Sequence, residues 1–105
     1  MEDVYIVVLT TVGTRQFAND LARLIVGARL AACVQIQSVE SVYRWNGEVR
    51  SEPEWLLAMK TTERCYTDLE QYIKANHSYE TPEIVRVPIT GGSGEYLDWI
   101  AESVG

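Results

Sequence analysis

The feature that most constrains the fold is the dipeptide Asn46-Gly47, which lies between two long runs of strand-forming residues. Asn-Gly favours a two-residue type I′ turn, because both central positions of that turn need positive φ angles. The two arms of the resulting hairpin are residues 31–46 and 48–61. A first arm of this length would span about 50 Å at ~3.3 Å per residue, whereas a domain of this size has a radius of gyration of ~13 Å. The hairpin must therefore bend back or project.

Each arm carries a sign of irregularity. Val34 and Ile36 lie on one side of the first arm and Val39 lies on the other, so the apolar pattern predicts a bulge or a bend between them. Pro53 cannot donate a ladder hydrogen bond and predicts an edge or an irregularity in the second arm.

The other predicted elements surround this hairpin. In chain order we predict a strand at 4–9, a helix at 15–29 with Thr14 as its N-cap, the hairpin, a helix at 63–76, a strand at 84–89 and a helix at 95–104. The first strand, VYIVVL, is nearly all apolar, so both of its faces are predicted to be buried. This order predicts an α+β fold, a ferredoxin-like βαββαβ sandwich with a long β-hairpin and an extra C-terminal helix. With 105 residues, the chain is expected to form a single domain over 1–105.

The far half of the hairpin carries apolar side chains that a monomer would expose, namely Val42, Tyr43, Trp45 and Val49. A projecting ribbon with unpaired edges and aromatic side chains invites aggregation unless another chain covers it. We therefore predict a homo-oligomer in which the hairpins pair across subunits. The alternative is a hairpin that folds over its own sheet.

Charge and hydropathy exclude several classes of partner. The net charge is −6 and the nine Lys and Arg residues are scattered, so the phosphate backbone of a nucleic acid has no basic stripe to bind. Acidic residues stand near the N-terminus where a secretory signal would be basic, and no run approaches the ~18 to 20 apolar residues that a membrane span needs. We expect a cytoplasmic protein without membrane or nucleic-acid partners.

The stretch HSYETPEI, residues 77–84, carries the single histidine of the chain. A neutral imidazole is a good ligand for copper or zinc, and Glu80 and Glu83 follow His77 closely. Pro82 biases the preceding residue towards extended structure, however, and so separates Glu83 from the other two. The alternative is that His77 ends the preceding helix and interacts with its C-terminal carbonyl groups.

Cys33 is the second candidate metal ligand, because thiolate is the preferred soft ligand of Cu(I). The alternative is that Cys33 is a small buried strand residue. Cys65 lies far from it in sequence, so the pair matches no CxxC spacing. No nucleophile with an adjacent base can be assembled, so we do not expect an enzyme.

Taken together, these segments resemble the CutA family of divalent-cation tolerance proteins. The matching segments are LARLIVGARLAACV (21–34), SVYRWNGEV (41–49), LLAMKTT (56–62), IKANHSYETPEI (73–84) and VPITGGSGEYLDWI (87–100). The resemblance implies a trimer similar in architecture to the PII signalling proteins, and a link to copper and other divalent cations, with Cu(II) as a possible bound ion. Some relatives carry cysteine at the position of Thr10 and a second histidine at that of Asn76, both implicated in copper binding. Of that set this chain retains only His77.

The resemblance also suggests a polar cluster at a cleft between subunits, with Lys60 as an anion contact beside Tyr79, Glu80 and Glu83. Aromatic side chains could line the same cleft, namely Tyr43, Trp45, Trp55, Tyr79, Tyr96 and Trp99. The leading hypothesis is thus a trimeric, non-enzymatic protein of the CutA type that responds to divalent cations. The alternatives are a PII-like small-molecule or anion sensor that binds at inter-subunit clefts, and a stable trimeric scaffold for a partner protein.

Overall fold

A computed structural model describes residues 3–105 of the chain. The elements are β1 (Tyr5–Val12), α1 (Arg15–Gly27), β2 (Cys33–Trp45), β3 (Glu48–Thr62), a 3₁₀ turn (Glu63–Cys65), α2 (Tyr66–Asn76), β4 (Val85–Ile89) and α3 (Gly94–Ser103). Each predicted element is present, with its ends moved by a few residues. Thr14 caps α1 as predicted, since its hydroxyl accepts a hydrogen bond from the N–H of Phe17. Within 3–105, no helix is both long and apolar enough to cross a membrane.

The four strands form one sheet in the order β2-β3-β1-β4. All three pairs of neighbouring strands are antiparallel. The element order and this sheet together make the predicted ferredoxin-like α+β fold.

Helices α1 and α2 cover one face of this sheet. Inward-facing side chains of β1 and β3 pack there against the buried sides of the two helices, and the main members are Ile6, Val8, Val12, Leu57, Met59, Ala18, Leu21, Ile25, Leu69 and Ile73. On α1 the large apolar residue Leu24 is 52% exposed. Ala18 and Ala22 are buried instead, because small side chains let the helix approach the sheet closely.

The opposite face of the sheet is only partly covered. Side chains alternate along a strand, so the residues between the buried ones share this second face, which we call the open face: Val7, Leu9, Leu56, Ala58, Val85 and Val87. Val85 and Val87 are each 45% exposed, and the other four are half-buried. The prediction that the first strand is buried on both faces is therefore wrong for a single copy of the chain.

The hairpin turn forms at Asn46-Gly47 as predicted. The two residues have φ angles of 51° and 77°, which are the left-handed values that a type I′ turn requires. From Trp45 opposite Glu48 to Cys33 opposite Lys60, β2 and β3 pair in one unbroken register. The predicted bulge in the first arm is therefore wrong. Val39 lies on the other side from Ile36 because the strand simply alternates.

Beyond the end of β1 the two arms pair only with each other. The last residue pair between β1 and β3 joins Val12 to Trp55, so residues 39–54 form a two-stranded segment that we call the ribbon. Pro53 lies in the ribbon, where β3 has become an edge, as predicted. The molecule measures 46 × 25 × 22 Å, and Val42 and Val49 are 68% and 69% exposed. The ribbon projects, and the alternative of a hairpin folded over its own sheet is wrong.

Helix α3 is fixed at its C-terminal end by Arg29. Its guanidinium donates hydrogen bonds to the backbone carbonyls of Glu102, Val104 and Gly105, at 3.1, 3.4 and 3.2 Å. Arg29 also has a φ angle of 60° at the end of α1, an uncommon value for a side chain other than glycine. Arg29 thus supplies hydrogen-bond donors to carbonyl groups at the C-terminal end of α3, where a helix leaves its own carbonyl groups without partners.

Candidate functional site

His77 follows the last residue of α2 and has extended backbone, with φ −87° and ψ 145°. Its ring turns towards β1, where Nε2 lies 2.8 Å from the carbonyl oxygen of Thr11. On the other side of the ring, the N–H of Tyr79 donates to Nδ1 at 3.0 Å. Since Nδ1 accepts, the proton of the neutral ring is on Nε2, and Nε2 donates to the Thr11 carbonyl. His77 therefore links the loop after α2 to β1. Its ring nitrogens bond to these two backbone groups and not to the C-terminal carbonyl groups of α2.

This arrangement does not fit a preformed metal site. Both ring nitrogens of His77 already have backbone partners, so a metal ion would have to displace one of them. Across residues 3–105, no group of three or more His, Cys, Asp or Glu side chains is arranged to hold a metal ion.

Cys33 and Lys60 lie in another part of the sheet. They are opposite each other on β2 and β3, and Lys60 is also opposite Val7 on β1. The Thr11 carbonyl that His77 contacts is four residues further along β1, which is about 13 Å at ~3.3 Å per residue. Lys60 instead lies over the ring of Tyr96, with Nζ 5.4 Å from the ring centroid. Within one chain the structure brings neither residue to His77.

Thr10 is one residue from the Thr11 carbonyl but faces the core. It is fully buried, and its hydroxyl has no hydrogen-bond partner anywhere in the described part of the chain. Thr61 is also fully buried, but its hydroxyl donates to the carbonyl of Leu30 at 2.8 Å. The two threonines therefore differ in whether the polar group is satisfied.

We expect Thr10→Val to raise the free energy of unfolding by about 1 kcal/mol, because a buried hydroxyl without a partner costs on the order of 1–3 kcal/mol. Thr61→Val serves as the matched control and should lower it by about 1 kcal/mol, since the Leu30 carbonyl loses its donor. Urea unfolding of the two variants measures both changes. A loss of stability in Thr10→Val as large as that in Thr61→Val would contradict this reading.

A cavity lies between the ribbon and the loop after α2. Its volume is about 550 Å³. The ribbon contributes Ser41, Val42, Tyr43, Trp45, Arg50, Glu52 and Glu54, and the loop contributes Tyr79, Glu80, Thr81 and Glu83, with Thr11 at the base. Three of the four residues of the predicted polar cluster, Tyr79, Glu80 and Glu83, are thus close together, and Lys60 is absent from this lining.

Tyr79 joins the two walls of the cavity. Its hydroxyl donates to Oε2 of Glu54 at 2.7 Å, and Glu54 is buried. The Tyr79 ring lies 4.8 Å from the ring of His77, so the same histidine that fixes the loop to β1 supports this side chain. Burial, together with the hydrogen bond to Glu54, raises the pKa of Tyr79 well above its ordinary value of 10.0. A hydrogen bond to Glu52 raises the pKa of Tyr43 in the same cavity.

The raised pKa of Tyr79 predicts how stability changes in alkali. In the unfolded chain Tyr79 loses its proton near pH 10, whereas in the folded chain it keeps that proton to higher pH. The contribution of the Tyr79 hydroxyl to the free energy of unfolding is therefore complete below pH 10 and is lost as the pH rises above 10. We expect the difference in unfolding free energy between the wild type and Tyr79→Phe to narrow from about pH 10 upwards. Urea unfolding between pH 8 and pH 11 tests this, and a constant difference would contradict it.

The prediction from sequence missed the ribbon residues Arg50, Glu52 and Glu54. The Asn46-Gly47 turn would have allowed their positions to be predicted, because it sets which residues of the two arms lie opposite each other. A two-residue turn places Trp45 opposite Glu48, and hence Tyr43 opposite Arg50 and Ser41 opposite Glu52. Counting outwards from the turn would have placed these carboxylates beside the aromatic side chains.

Comparison with known proteins identifies the family. The family model for CutA1, described as CutA1 divalent ion tolerance protein, matches residues 6–103. The chain belongs to the CutA1 family. It is 47% identical over 100 residues to the divalent-cation tolerance protein CutA of Thermus thermophilus, covering 94% of this chain and 97% of that protein. It is 46% identical over 99 residues to the chloroplastic protein CutA of Arabidopsis thaliana, covering 93% of this chain but only 54% of that protein's length.

Solved structures of CutA1 relatives have the same fold. The crystal structure of CutA1 from Oryza sativa superimposes with a TM-score of 0.94 at 42% identity, covering 97% of this chain and 94% of that one. A structure described as the periplasmic divalent cation tolerance protein CutA from Archaeoglobus fulgidus gives a TM-score of 0.94 at 33% identity, covering 96% of this chain and 99% of that one. The compartments named for CutA1 relatives thus differ from one protein to another.

Proposed function

We propose that this CutA1 chain is a non-enzymatic homotrimer that supports tolerance of divalent cations. The observation that carries the proposal is the match to the CutA1 family over residues 6–103, together with 47% identity to a protein named for divalent-cation tolerance. The cytoplasm is the compartment we propose for it.

The open face supports assembly. Its six apolar residues lie on β3, β1 and the edge strand β4, and Val85 and Val87 on β4 remain 45% exposed in a single copy. An apolar face of this kind, next to a projecting ribbon with Val42 and Val49 exposed, is typical of a surface that a second copy covers. A trimer would bury the second face of β1, which is the burial that its apolar sequence predicts.

His77 and Cys33 remain the side chains best suited by chemistry to bind copper, but the geometry within one chain does not favour a site made from both. Any shared ion would need them from different subunits. We therefore propose the tolerance role without assigning a copper ligand set.

A growth assay tests the proposal. The chain is expressed in an Escherichia coli strain that lacks its own CutA, which is 36% identical to this chain over 100 residues. We expect expression to raise the Cu(II) and Zn(II) concentrations that stop growth, relative to the empty vector. The same concentrations with and without the chain would refute the tolerance role, provided that immunoblotting detects the chain in the soluble fraction of the cells.

A further inference from the structure

Lys60 is a cation on the face of the sheet that the proposed trimer would cover. It follows Leu56 and Ala58 at alternate positions of β3 and lies opposite Val7, so its side chain shares the open face. In a single copy Lys60 is half-buried. Its ammonium group lies over the ring of Tyr96 and pairs with no carboxylate of residues 3–105. A subunit contact over this face would therefore take water from a charge that has no counter-charge in its own chain.

The loss of water at Lys60 indicates what a second copy should supply. An ammonium group that leaves water loses hydration, and a paired carboxylate restores more of that loss than the ring of one tyrosine does. The chain is rich in carboxylates, with fifteen acidic residues against nine Lys and Arg. A carboxylate of the second copy is thus the counter-charge that this protein can itself provide.

The ribbon is the segment that reaches beyond its own sheet, and its carboxylates are the candidates. β2 and β3 pair in one register, so the side of β3 that carries the open face continues into the ribbon at alternate positions, among them Glu54, Glu52 and Glu48. Glu54 is buried and bonded to Tyr79, and Glu48 pairs with Arg50 at 3.6 Å. Glu52 is exposed and pairs with no cation in the described part of the chain. Glu52 is therefore the carboxylate on this side that is both accessible and without a cation.

Glu52 and Lys60 cannot meet within one chain. They are eight positions apart on one strand, which is about 26 Å at ~3.3 Å per residue. We propose that Glu52 on the ribbon of one subunit pairs with Lys60 on the open face of the next, so that each subunit gives one carboxylate and one ammonium group to the ring of contacts. Tyr43 donates a hydrogen bond to Glu52 and holds the carboxylate on the ribbon. The pair rests on the proposed trimer and names the residues that fix how its subunits meet.

Charge reversal at each position, alone and together, tests the pair. Lys60→Glu and Glu52→Lys each place like charges against one another across the contact. We expect the chain concentration at which half of the trimer has dissociated to rise at least tenfold for each variant. The double variant restores opposite charges in exchanged positions, and we expect it to return to within about threefold of the wild type. Light scattering of a dilution series, in urea that partly dissociates the wild type, measures all four proteins.

The ion pair between Glu70 and Lys74 provides the matched control. It has a length of 3.5 Å and lies on α2, which covers the other face of the sheet, so Lys74→Glu should leave the half-dissociation concentration unchanged. Should Lys60→Glu fail to fold, as judged by circular dichroism, the neutral variants Lys60→Gln and Glu52→Gln take the place of the charge reversals. Their double variant should then be weakened less than the two single effects together.

Two results would overturn the pair and leave the proposed trimer standing. One is a trimer in Glu52→Lys that dissociates at the same concentration as the wild type. The other is a double variant that is weakened by the full product of the two single effects. A monomeric wild type would overturn the pair and the trimer together.

Discussion

Replacement of His77 by alanine is expected to lower the free energy of unfolding by about 2–3 kcal/mol. The variant removes the hydrogen bond to the Thr11 carbonyl and the bond from the Tyr79 N–H, each worth on the order of 1 kcal/mol. It also removes the ring contact with Tyr79, at 4.8 Å between centroids, which contributes about 0.5–1.5 kcal/mol. Urea unfolding of the metal-free protein measures the change.

The neighbouring residue provides the control. Asn76 is exposed and its side-chain amide donates to the carbonyl of Tyr72 within its own helix, so we expect Asn76→Ala to change stability by less than about 1 kcal/mol. Equal stability of His77→Ala and the wild type without metal would contradict the structural role of the histidine.

The same variant separates the structural role from metal binding. Since both ring nitrogens have backbone partners, we expect titration of the wild type with Cu(II) to show no binding that His77→Ala abolishes. Tight Cu(II) binding that disappears in His77→Ala, with the metal-free stability unchanged, would instead establish His77 as a ligand.

Substitution of Val87 by glutamate is expected to abolish assembly. Val87 lies on the open face beside Val7, and a carboxylate there would be buried in each of the proposed subunit contacts. Burying an unpaired charge costs several kcal/mol, and a symmetric trimer would incur this cost in each of its three contacts. Light scattering should give a mass of roughly three times 11.9 kDa for the wild type and the mass of one chain for the variant.

Leu24 supplies a matched control on the other side of the molecule. It is an apolar residue of α1 with 52% exposure, similar to the 45% of Val87. We expect Leu24→Glu to keep the mass of the wild type, because α1 lies on the face away from the proposed contact. A monomeric wild type, or a trimeric Val87→Glu, would refute assembly through the open face.

Much of the fold could be predicted because its signals are local. The Asn46-Gly47 turn depends on the φ preferences of two adjacent residues, and the Thr14 cap depends on a hydroxyl three residues from its N–H donor. The predicted bulge failed because it assumed that one face of the first arm stays buried throughout. The ribbon extends past the end of β1 and has no single buried face. The side on which Val39 lies therefore does not indicate a change of strand register.

The candidate site was less predictable. His77, Tyr79, Glu80 and Glu83 were identified because they lie within seven residues of one another. Lys60 is predicted beside them at a cleft between subunits, and within one chain the sheet register places it near Tyr96. The partner of Tyr79 proved to be Glu54, which is 25 residues away in the sequence.

The sequence by itself determined the elements, the hairpin turn, the family and the charge, since each follows from neighbouring residues or from composition. Only the tertiary structure decided what His77 does. Nε2 of its ring hydrogen-bonds to the carbonyl of Thr11, which is 66 residues away in the sequence. A metal ion would have to displace this bond to bind Nε2. The acidic, aromatic cavity also depends on the tertiary structure. One wall is the ribbon, which extends past the end of β1, and the other is the loop after α2. Such contacts depend on how backbone segments that are distant in sequence pack together. The conformational preferences of neighbouring residues do not predict that packing.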